Sequence, residues 1–214
     1  MNKGFEAYYK IVEKFDNLSR LIKCAGCDLC DRDFVPLLPF ELPYFRRLGV
    51  PLKEIDGIYY IGKKGRHSLC VFRDEKSKKC SIYSTRPLVC RMFPLEITSI
   101  NNKLEWVVYD YCPFVKKTIN DPHQNIHEKL WFLVTEIESL FTKEILAFFF
   151  KEDTVTRRME SIATTYTSKH TILKEVMNVN LPSAYEIFAN WDNITSESIA
   201  LKKFLKSTSS ITAL

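Results

Sequence analysis

The chain has 214 residues, of which 46% are hydrophobic and 27% charged, and its formal net charge is +5. This length and composition allow a sizeable buried core and exclude a disordered tail or a low-complexity filament. No segment approaches the roughly 18 to 20 uncharged apolar residues that a membrane helix needs, and charges run through the first 23 residues. We therefore predict no membrane span and no signal peptide, and we expect a cytoplasmic location.

The first predicted elements are short apart from the helix that opens the chain. Apolar residues recur every three and four positions over residues 4–22, which predicts an amphipathic helix. A short helix is expected over Phe40–Leu48, ended by Gly49, because prolines punctuate the segment around it. Ile58–Ile61 has the apolar composition of a strand, and the segment Gly62–Gly65 is expected to turn.

A hairpin and a capped helix are predicted next. Ser68–Phe72 and Cys80–Tyr83 have strand composition and flank a polar loop, so we expect them to pair. Thr85 is expected to cap a short helix that has Pro87 in its first turn. Leu104–Tyr109 is a further strand candidate.

The second half of the chain is predicted to be mainly helical. An apolar stripe predicts one long helix over about His123–Phe150. Weaker patterns predict helices near Thr154–Lys174, Ser183–Trp191 and Ser196–Leu205. The predicted fold class is therefore α+β. A small cysteine-rich, metal-binding domain over residues 1–118, with short strands and helices, precedes a mainly α-helical region over residues 119–214 that packs on it.

Seven cysteines all fall within 89 residues, and the last 102 residues contain none. A secreted disulfide scaffold would be shorter, with an even number of cysteines and an export signal. The cluster therefore predicts metal binding, redox chemistry or both. The candidate metal ligands are Cys24, Cys27, Cys30, Cys70, Cys80, Cys90 and Cys112.

Cys24, Cys27 and Cys30 form the sharpest motif, C-x2-C-x2-C. Bacterial ferredoxins supply three ligands of a [4Fe–4S] cluster from cysteines with this spacing. Structural zinc sites more often use two separated C-x2-C pairs, and the chain has no second pair. An iron–sulfur cluster, [4Fe–4S] favoured, is therefore the predicted cofactor, and zinc or iron is the alternative.

The fourth ligand is left open among the other four cysteines. Cys112 is followed by Pro113, as is the remote ligand of bacterial ferredoxins. Cys90 lies between Arg86 and Arg91, and Cys70 and Cys80 could pair across the predicted hairpin. Each of these four cysteines is therefore a candidate for the fourth ligand.

The positive charge is concentrated around these cysteines. Residues 62–91 contain nine Lys or Arg and two acidic residues, a local charge of +7, so the rest of the chain sums to −2. Such a patch suits nucleic acid, but it also offsets the negative charge of metal-bound thiolates. The patch contains no aromatic RNP strand, so nucleic acid is disfavoured as a partner. A protein partner is expected, but the sequence does not identify it.

The chain resembles the YkgJ-type cysteine-cluster family, a zinc- or iron-chelating domain named for its C-x2-C-x2-C-C motif. The resemblance covers about residues 20–115. It rests on residues 24–30 (CAGCDLC), 69–72 (LCVF) and 80–94 (CSIYSTRPLVCRMFP), and on Cys112-Pro113. Two positions depart from the family pattern. Asp31 replaces the second cysteine of the adjacent pair, and Asp28 replaces the usual glycine. An eighth ligand would therefore have to be Asp31, which zinc accepts better than an iron–sulfur cluster does. The alternative is that Asp31 is exposed to solvent and a second metal site is incomplete or absent.

Two arginines in the 80–94 block are predicted to be cofactor-binding residues. Arg86 and Arg91 are permanent donors that could hydrogen-bond cysteine sulfur or backbone and so tune the potential of the site. An ordinary salt bridge of Arg86 with Glu96 or Asp110 is the alternative. Tyr83 and Phe93 are expected to limit water at the metal.

Three functions follow from these features. The first is a metal-cluster protein with a redox or iron-chelating role. The second is a structural zinc module whose helical half binds a partner. The third is an enzyme, because flagellin lysine N-methylases, which use S-adenosylmethionine, resemble this family. No GxG segment is present for a methyl-donor loop, so the third is disfavoured, and whether the protein is an enzyme stays open.

Overall fold

The computed structural model describes residues 3–21, 35–64, 69–100, 103–109, 112–118, 125–162 and 170–175. Contacts divide the chain into two compact units. Unit 1 consists of Met1–Ala25 with Arg91–Ala189, and unit 2 of Gly26–Cys90 with Asn190–Leu214. Helices and short antiparallel strands occur together, which confirms the α+β class. The predicted domain boundary after residue 118 stays a prediction.

Unit 2 is built from short elements around two small sheets. The first sheet has the order β1-β3-β2, and the second pairs β4 with β5, both antiparallel. The elements are β1 (Pro36–Leu37), α2 (Leu42–Arg47), β2 (Leu52–Ile55), β3 (Ile58–Ile61), β4 (Lys63–Lys64) and β5 (Leu69–Cys70).

The strand predicted at Ile58–Ile61 is confirmed, and it forms a hairpin with β2 that the sequence did not predict. Asp56 and Gly57 connect the two strands with φ values of 50° and 76°. Positive φ at both central residues, with glycine second, is typical of a tight hairpin turn. The Asp-Gly pair was therefore an available signal for β2.

The turn predicted at Gly62–Gly65 is wrong at Lys63–Lys64, which form β4 opposite β5. Gly62 is needed for a different reason. Its backbone N–H donates to the Pro51 carbonyl at 2.7 Å, and a Cβ at this position would lie 2.7 Å from the same oxygen. The chain can therefore pass Pro51 closely only with glycine at residue 62.

The end of unit 2 differs from the predicted hairpin. β5 pairs with β4, and the predicted hairpin is reduced to an isolated bridge between Arg73 and Cys80 and a hydrogen bond from the Ser81 N–H to the Phe72 carbonyl. A single 3-10 turn follows at Tyr83–Thr85, and then helix α3 at Leu88–Met92. The predicted short helix is thus confirmed, but Thr85 is the last residue of the 3-10 turn and not the helix cap, so the predicted cap is wrong.

Unit 1 combines a three-stranded antiparallel sheet with helices. The sheet has the order β6-β7-β8 and an irregular register between Trp106 and Val107. The elements are α1 (Lys3–Leu21), β6 (Leu95–Ile100), β7 (Lys103–Tyr109), α4 (Pro113–Thr118), α5 (Ile126–Glu138), α6 (Lys143–Ile162) and β8 (His170–Glu175). The predicted first helix and the predicted strand at Leu104–Tyr109 are confirmed.

The core of unit 1 lies where α1 meets the sheet. Trp106 on β7 is fully buried, and its ring centroid lies 6.5 Å from that of Phe15 on α1. The predicted apolar stripe of α1 is the buried face, formed by Phe5, Tyr8, Ile11, Val12, Phe15 and Leu18. None of the helices in the described part of the chain is both long and apolar enough to cross a membrane.

The single long helix predicted over His123–Phe150 is wrong, because the chain breaks between α5 and α6. The Leu140 N–H donates to the Ile137 carbonyl at 2.9 Å, a tight turn that ends α5. The Thr142 hydroxyl then accepts the Ile145 N–H at 3.4 Å and begins α6. The buried carboxylate of Glu138 accepts the indole N–H of Trp106 at 2.8 Å, which fixes the end of α5 on the sheet.

The structure tests one of the three helices predicted after residue 150, and it differs from the prediction. Within the described residues, the helix predicted over Thr154–Lys174 is present up to Ile162, and His170–Glu175 is a strand on the sheet edge. Thr171 and Ile172 are β-branched residues that favour a strand, and pairing with β7 overrides the weak helical pattern. The helices predicted at Ser183–Trp191 and Ser196–Leu205 lie outside the described residues.

Candidate metal centre

Three of the seven predicted cysteine ligands lie in one short stretch of unit 2. Cys70 ends β5, Cys80 pairs with Arg73 in the isolated bridge, and Cys90 is in the middle of α3. The stretch is rich in turns, because each element is five residues or shorter. The cysteines therefore owe their positions to packing and local hydrogen bonds more than to long regular structure.

Cys70 is buried in the apolar core of unit 2, with 9% of its surface exposed. The core comprises Val35, Leu37, Leu42, Phe45, Ile61 and Cys70. The Cys70 carbonyl accepts the Arg73 N–H at 3.0 Å, which turns the chain away from β5. An apolar wall of this kind limits water at the thiol.

Cys90 packs against the same apolar core from helix α3. The structure therefore brings Cys70 and Cys90 to one cluster, although they are 20 residues apart in the sequence. Cys80 is half-buried at the bridge opposite Arg73, and the residue after it donates its backbone N–H to the Phe72 carbonyl at 2.8 Å. In this register Arg73, not Cys70, is opposite Cys80. The hairpin pairing proposed for Cys70 and Cys80 is therefore wrong.

Glu41 positions the helix that carries Cys90. Its side chain is 2% exposed, and one carboxylate oxygen accepts the Leu88 N–H at 2.8 Å while the other accepts the Leu38 N–H at 2.9 Å. Leu88 is the first residue of α3, so Glu41 acts as its cap from 47 positions away. Glu41 was not among the site residues predicted from the sequence. The available signal was a lone acid within the apolar, proline-rich segment Val35–Phe45.

Cys112 belongs to unit 1 and is 6% exposed. It directly precedes α4: its backbone N–H donates to the Tyr109 carbonyl at 3.3 Å, and its carbonyl accepts the Lys116 N–H at 2.9 Å. Pro113 is the first residue of α4, where a missing N–H costs no hydrogen bond. The chain thus holds the Cys112 thiol in a buried turn.

Cys24, Cys27 and Cys30, and the neighbouring Asp28 and Asp31, lie outside the described residues. Within the described part of the chain, no group of three or more His, Cys, Asp or Glu side chains is close enough to hold a metal ion. The described cysteines, Cys70, Cys80, Cys90 and Cys112, are all thiols and not halves of disulfides. Thiolates are the ligands that zinc and iron–sulfur clusters prefer, so the chemistry of this donor set fits either group.

The two arginines expected on the cofactor side have different surroundings. The Arg91 side chain is 3% exposed and forms an ion pair with Asp16 of α1. The guanidinium carbon of Arg86 lies 3.8 Å from the ring centroid of Tyr83. Tyr83 is 42% exposed, so it is not an inner apolar shell as expected. Phe93 stacks on Tyr109 with centroids 5.9 Å apart. The cofactor-binding role of both arginines stays a prediction.

The cysteine region is similar to a family of known proteins. Residues 23–113 match the family model CxxCxxCC, whose description reads "Putative zinc- or iron-chelating domain". All seven cysteines fall within the matched residues. Residues 23–113 are therefore similar to this domain, and the match confirms the resemblance stated from the sequence. The family description supports metal chelation, of zinc or iron, as the function of the domain.

A curated relative comes from Methanocaldococcus jannaschii and bears the name Uncharacterized protein MJ0661. It is 35% identical over 104 residues, a match that covers 42% of this chain and 54% of the relative. The chain therefore spans about half the length of this relative. No solved structure matches the chain. None of these comparisons tests the lysine methylase hypothesis, which stays a prediction.

Proposed function

We propose that the CxxCxxCC domain binds an iron–sulfur cluster, [4Fe–4S] favoured, and has a redox or iron-chelating role. The observation that carries the proposal is the donor set. All seven cysteines fall within the matched domain, three have the C-x2-C-x2-C spacing, and the four described ones are thiols. Cys24, Cys27 and Cys30 would share one cluster, which needs a fourth ligand from elsewhere in the domain.

Two cysteines are the leading candidates for the fourth ligand. Cys112 is favoured by its Pro113 neighbour and by its burial in the turn before α4. Cys90 is favoured by the Glu41 cap, because a helix fixed at its first residue presents the thiol in a defined place. Cys70 and Cys80 are the other two candidates for the fourth ligand. Cys70 is more deeply buried than Cys80 or Cys90.

The bound cluster would supply one-electron chemistry or stored iron. The chain's own residues would control its surroundings. The apolar core around Cys70 and Cys90 excludes water on one side. Arg86 and Arg91 are permanent cations near the cysteines in sequence, and positive charge near a thiolate-bound cluster raises its reduction potential.

Anaerobic purification followed by metal analysis and visible spectroscopy tests the proposal. We expect coloured protein with broad visible absorbance and about four iron atoms per chain. Single serine replacements of Cys24, Cys27 and Cys30 should each abolish or badly weaken the absorbance, because a serine hydroxyl is a poor cluster ligand. Ser81→Ala, next to Cys80 but without a proposed ligand role, is the matched control and should keep the wild-type spectrum.

The fourth ligand is tested by comparing Cys112→Ser with Cys90→Ser. The variant that loses iron and absorbance identifies the ligand, and an unchanged spectrum removes that cysteine from the set. Colourless protein with stoichiometric zinc would overturn the iron–sulfur proposal. It would support the structural zinc module instead, which the family description equally allows.

A further inference from the structure

The loop between Arg73 and Lys79, called here the lysine loop, presents three ammonium groups to solvent. Lys76, Lys78 and Lys79 are all exposed. None of the three forms an ion pair with any residue that the structure describes. The three positive charges are therefore accessible to a partner at the surface of the loop.

The lysine loop is held in one shape by its own hydrogen bonds. The Asp74 N–H donates to the Lys79 carbonyl at 2.9 Å, and the Lys78 N–H donates to the Asp74 carbonyl at 3.0 Å. The Asp74 carboxylate accepts both the backbone N–H and the hydroxyl of Ser77, each at 2.7 Å. These bonds lower the pKa of the Asp74 carboxyl and direct its charge into the loop. The lysines are therefore displayed by a preorganised loop.

The base of the lysine loop is also fixed. The Lys64 ammonium on β4 donates to the Arg73 carbonyl at 2.7 Å, and Arg73 pairs with Cys80 across the base. Cys80, a proposed metal ligand, directly follows Lys79. The exposed lysines thus lie next in sequence to a cysteine of the proposed cluster site, all within unit 2.

We propose that the lysine loop is the docking surface for an acidic protein that passes one electron to the cluster. This inference rests on the proposed iron–sulfur function. The partner's reduced carrier loses one electron and the cluster gains it, with no bond formed or broken. Complementary charge speeds the encounter of two proteins, and the effect falls as salt is added.

The composition of the lysine loop favours a protein over a nucleic acid. Residues 74–79 read DEKSKK and contain no aromatic side chain on which a base could stack. Tyr83, four residues after Lys79, is an exposed aromatic residue, and the Arg86 guanidinium covers one face of its ring. Tyr and Arg are enriched where protein interfaces concentrate their binding energy.

The experiment measures the rate at which an acidic flavodoxin, in its hydroquinone form, reduces the loaded protein in a stopped-flow instrument at low and high salt. The test variant is the triple substitution K76E/K78E/K79E. The matched control is K53E/K129E/K143E, which changes the charge equally at exposed lysines elsewhere. At low salt we expect the rate of reduction of the test variant to be at least about tenfold lower than that of wild type. The rate of the control variant should be close to that of wild type. The difference should shrink at high salt.

Dithionite separates failure of docking from failure of the cluster. It is a small reductant that needs no docking surface, so it should bleach wild type and both variants equally. Protein without visible absorbance would refute the iron–sulfur function itself. Bleaching by dithionite together with equal flavodoxin rates in the test variant and wild type would overturn the docking proposal alone. Binding of single-stranded DNA by wild type, lost in the test variant, together with flavodoxin rates that do not depend on salt, would also overturn it in favour of nucleic acid.

Discussion

The guanidinium of Arg91 forms an ion pair with the carboxylate of Asp16, 75 residues earlier in the chain. Arg91 directly follows Cys90, and Asp16 lies on α1, the helix that ends at Leu21 shortly before the C-x2-C-x2-C motif. Asp16 also precedes the residues matched by the family model. The ion pair therefore links α1, which precedes the first cysteines, to Arg91, the residue after Cys90.

Replacing Asp16 by Asn should destabilise the protein by about 2 kcal/mol, because the almost fully buried Arg91 would lose a charged acceptor. The Asp16 side chain is 39% exposed, so solvent screening keeps the loss below that of a fully buried pair. Urea unfolding measures the change. Glu13→Gln, an exposed acid on the same helix, is the control and should remain within about 0.5 kcal/mol of wild type. A loss as small as that of Glu13→Gln would contradict the argument.

Replacing Glu41 by Ala should cost about 3 kcal/mol, since two buried backbone N–H groups would lose a charged acceptor. Glu41→Gln keeps one acceptor oxygen but turns an NH2 group towards the second N–H, so an intermediate loss is expected. Chemical denaturation of both variants checks this order. Glu75→Ala on the exposed lysine loop is the control. Equal stability of Glu41→Ala and wild type would show that the Leu88 cap contributes nothing.

Local patterns in the sequence predicted the elements that depend on neighbouring residues. The stripe of α1 and the strand Ile58–Ile61 are examples. The contacts that position the cysteines are non-local, and no periodicity encodes them. Glu41 reaches Leu88 over 47 positions, and Trp106 reaches Glu138 over 32.

The single long helix predicted over His123–Phe150 was wrong for the same reason, because a local pattern does not encode non-local contacts. Leu140, Phe141 and Ile145 continue the apolar stripe of α5, so the period does not reveal the break. The break follows from the Thr142 cap and from the anchoring of Glu138 by Trp106. For the metal centre, residue type predicted seven candidate ligands, but spacing alone did not select the fourth ligand of the proposed cluster.

Alkaline pH should destabilise the protein partly through Tyr9 on α1. Burial raises the pKa of its phenol to about 12 from the ordinary value of 10.0. The unfolded chain therefore ionises first, and the contribution of Tyr9 is complete below pH 10.0 and is lost as the pH rises towards about 12. Urea unfolding of wild type and Tyr9→Phe over this range measures the effect. The stability of Tyr9→Phe should fall less steeply, and parallel curves would contradict the assignment.

Removing the metal should disrupt the cysteine region and leave most of the helical structure intact. The large buried side chains of unit 1, among them Trp106, Phe15 and Ile145, pack on helices and a sheet whose contacts need no metal ligand. Unit 2 has short elements and a small apolar core that includes Cys70, so it depends more on a bound metal. Anaerobic chelation followed by circular dichroism tests this. The far-ultraviolet helical signal should be largely kept, and so should the near-ultraviolet signal of Trp106, identified by its loss in Trp106→Phe. Complete loss of the helical signal on chelation would show that the two regions fold as one metal-dependent body.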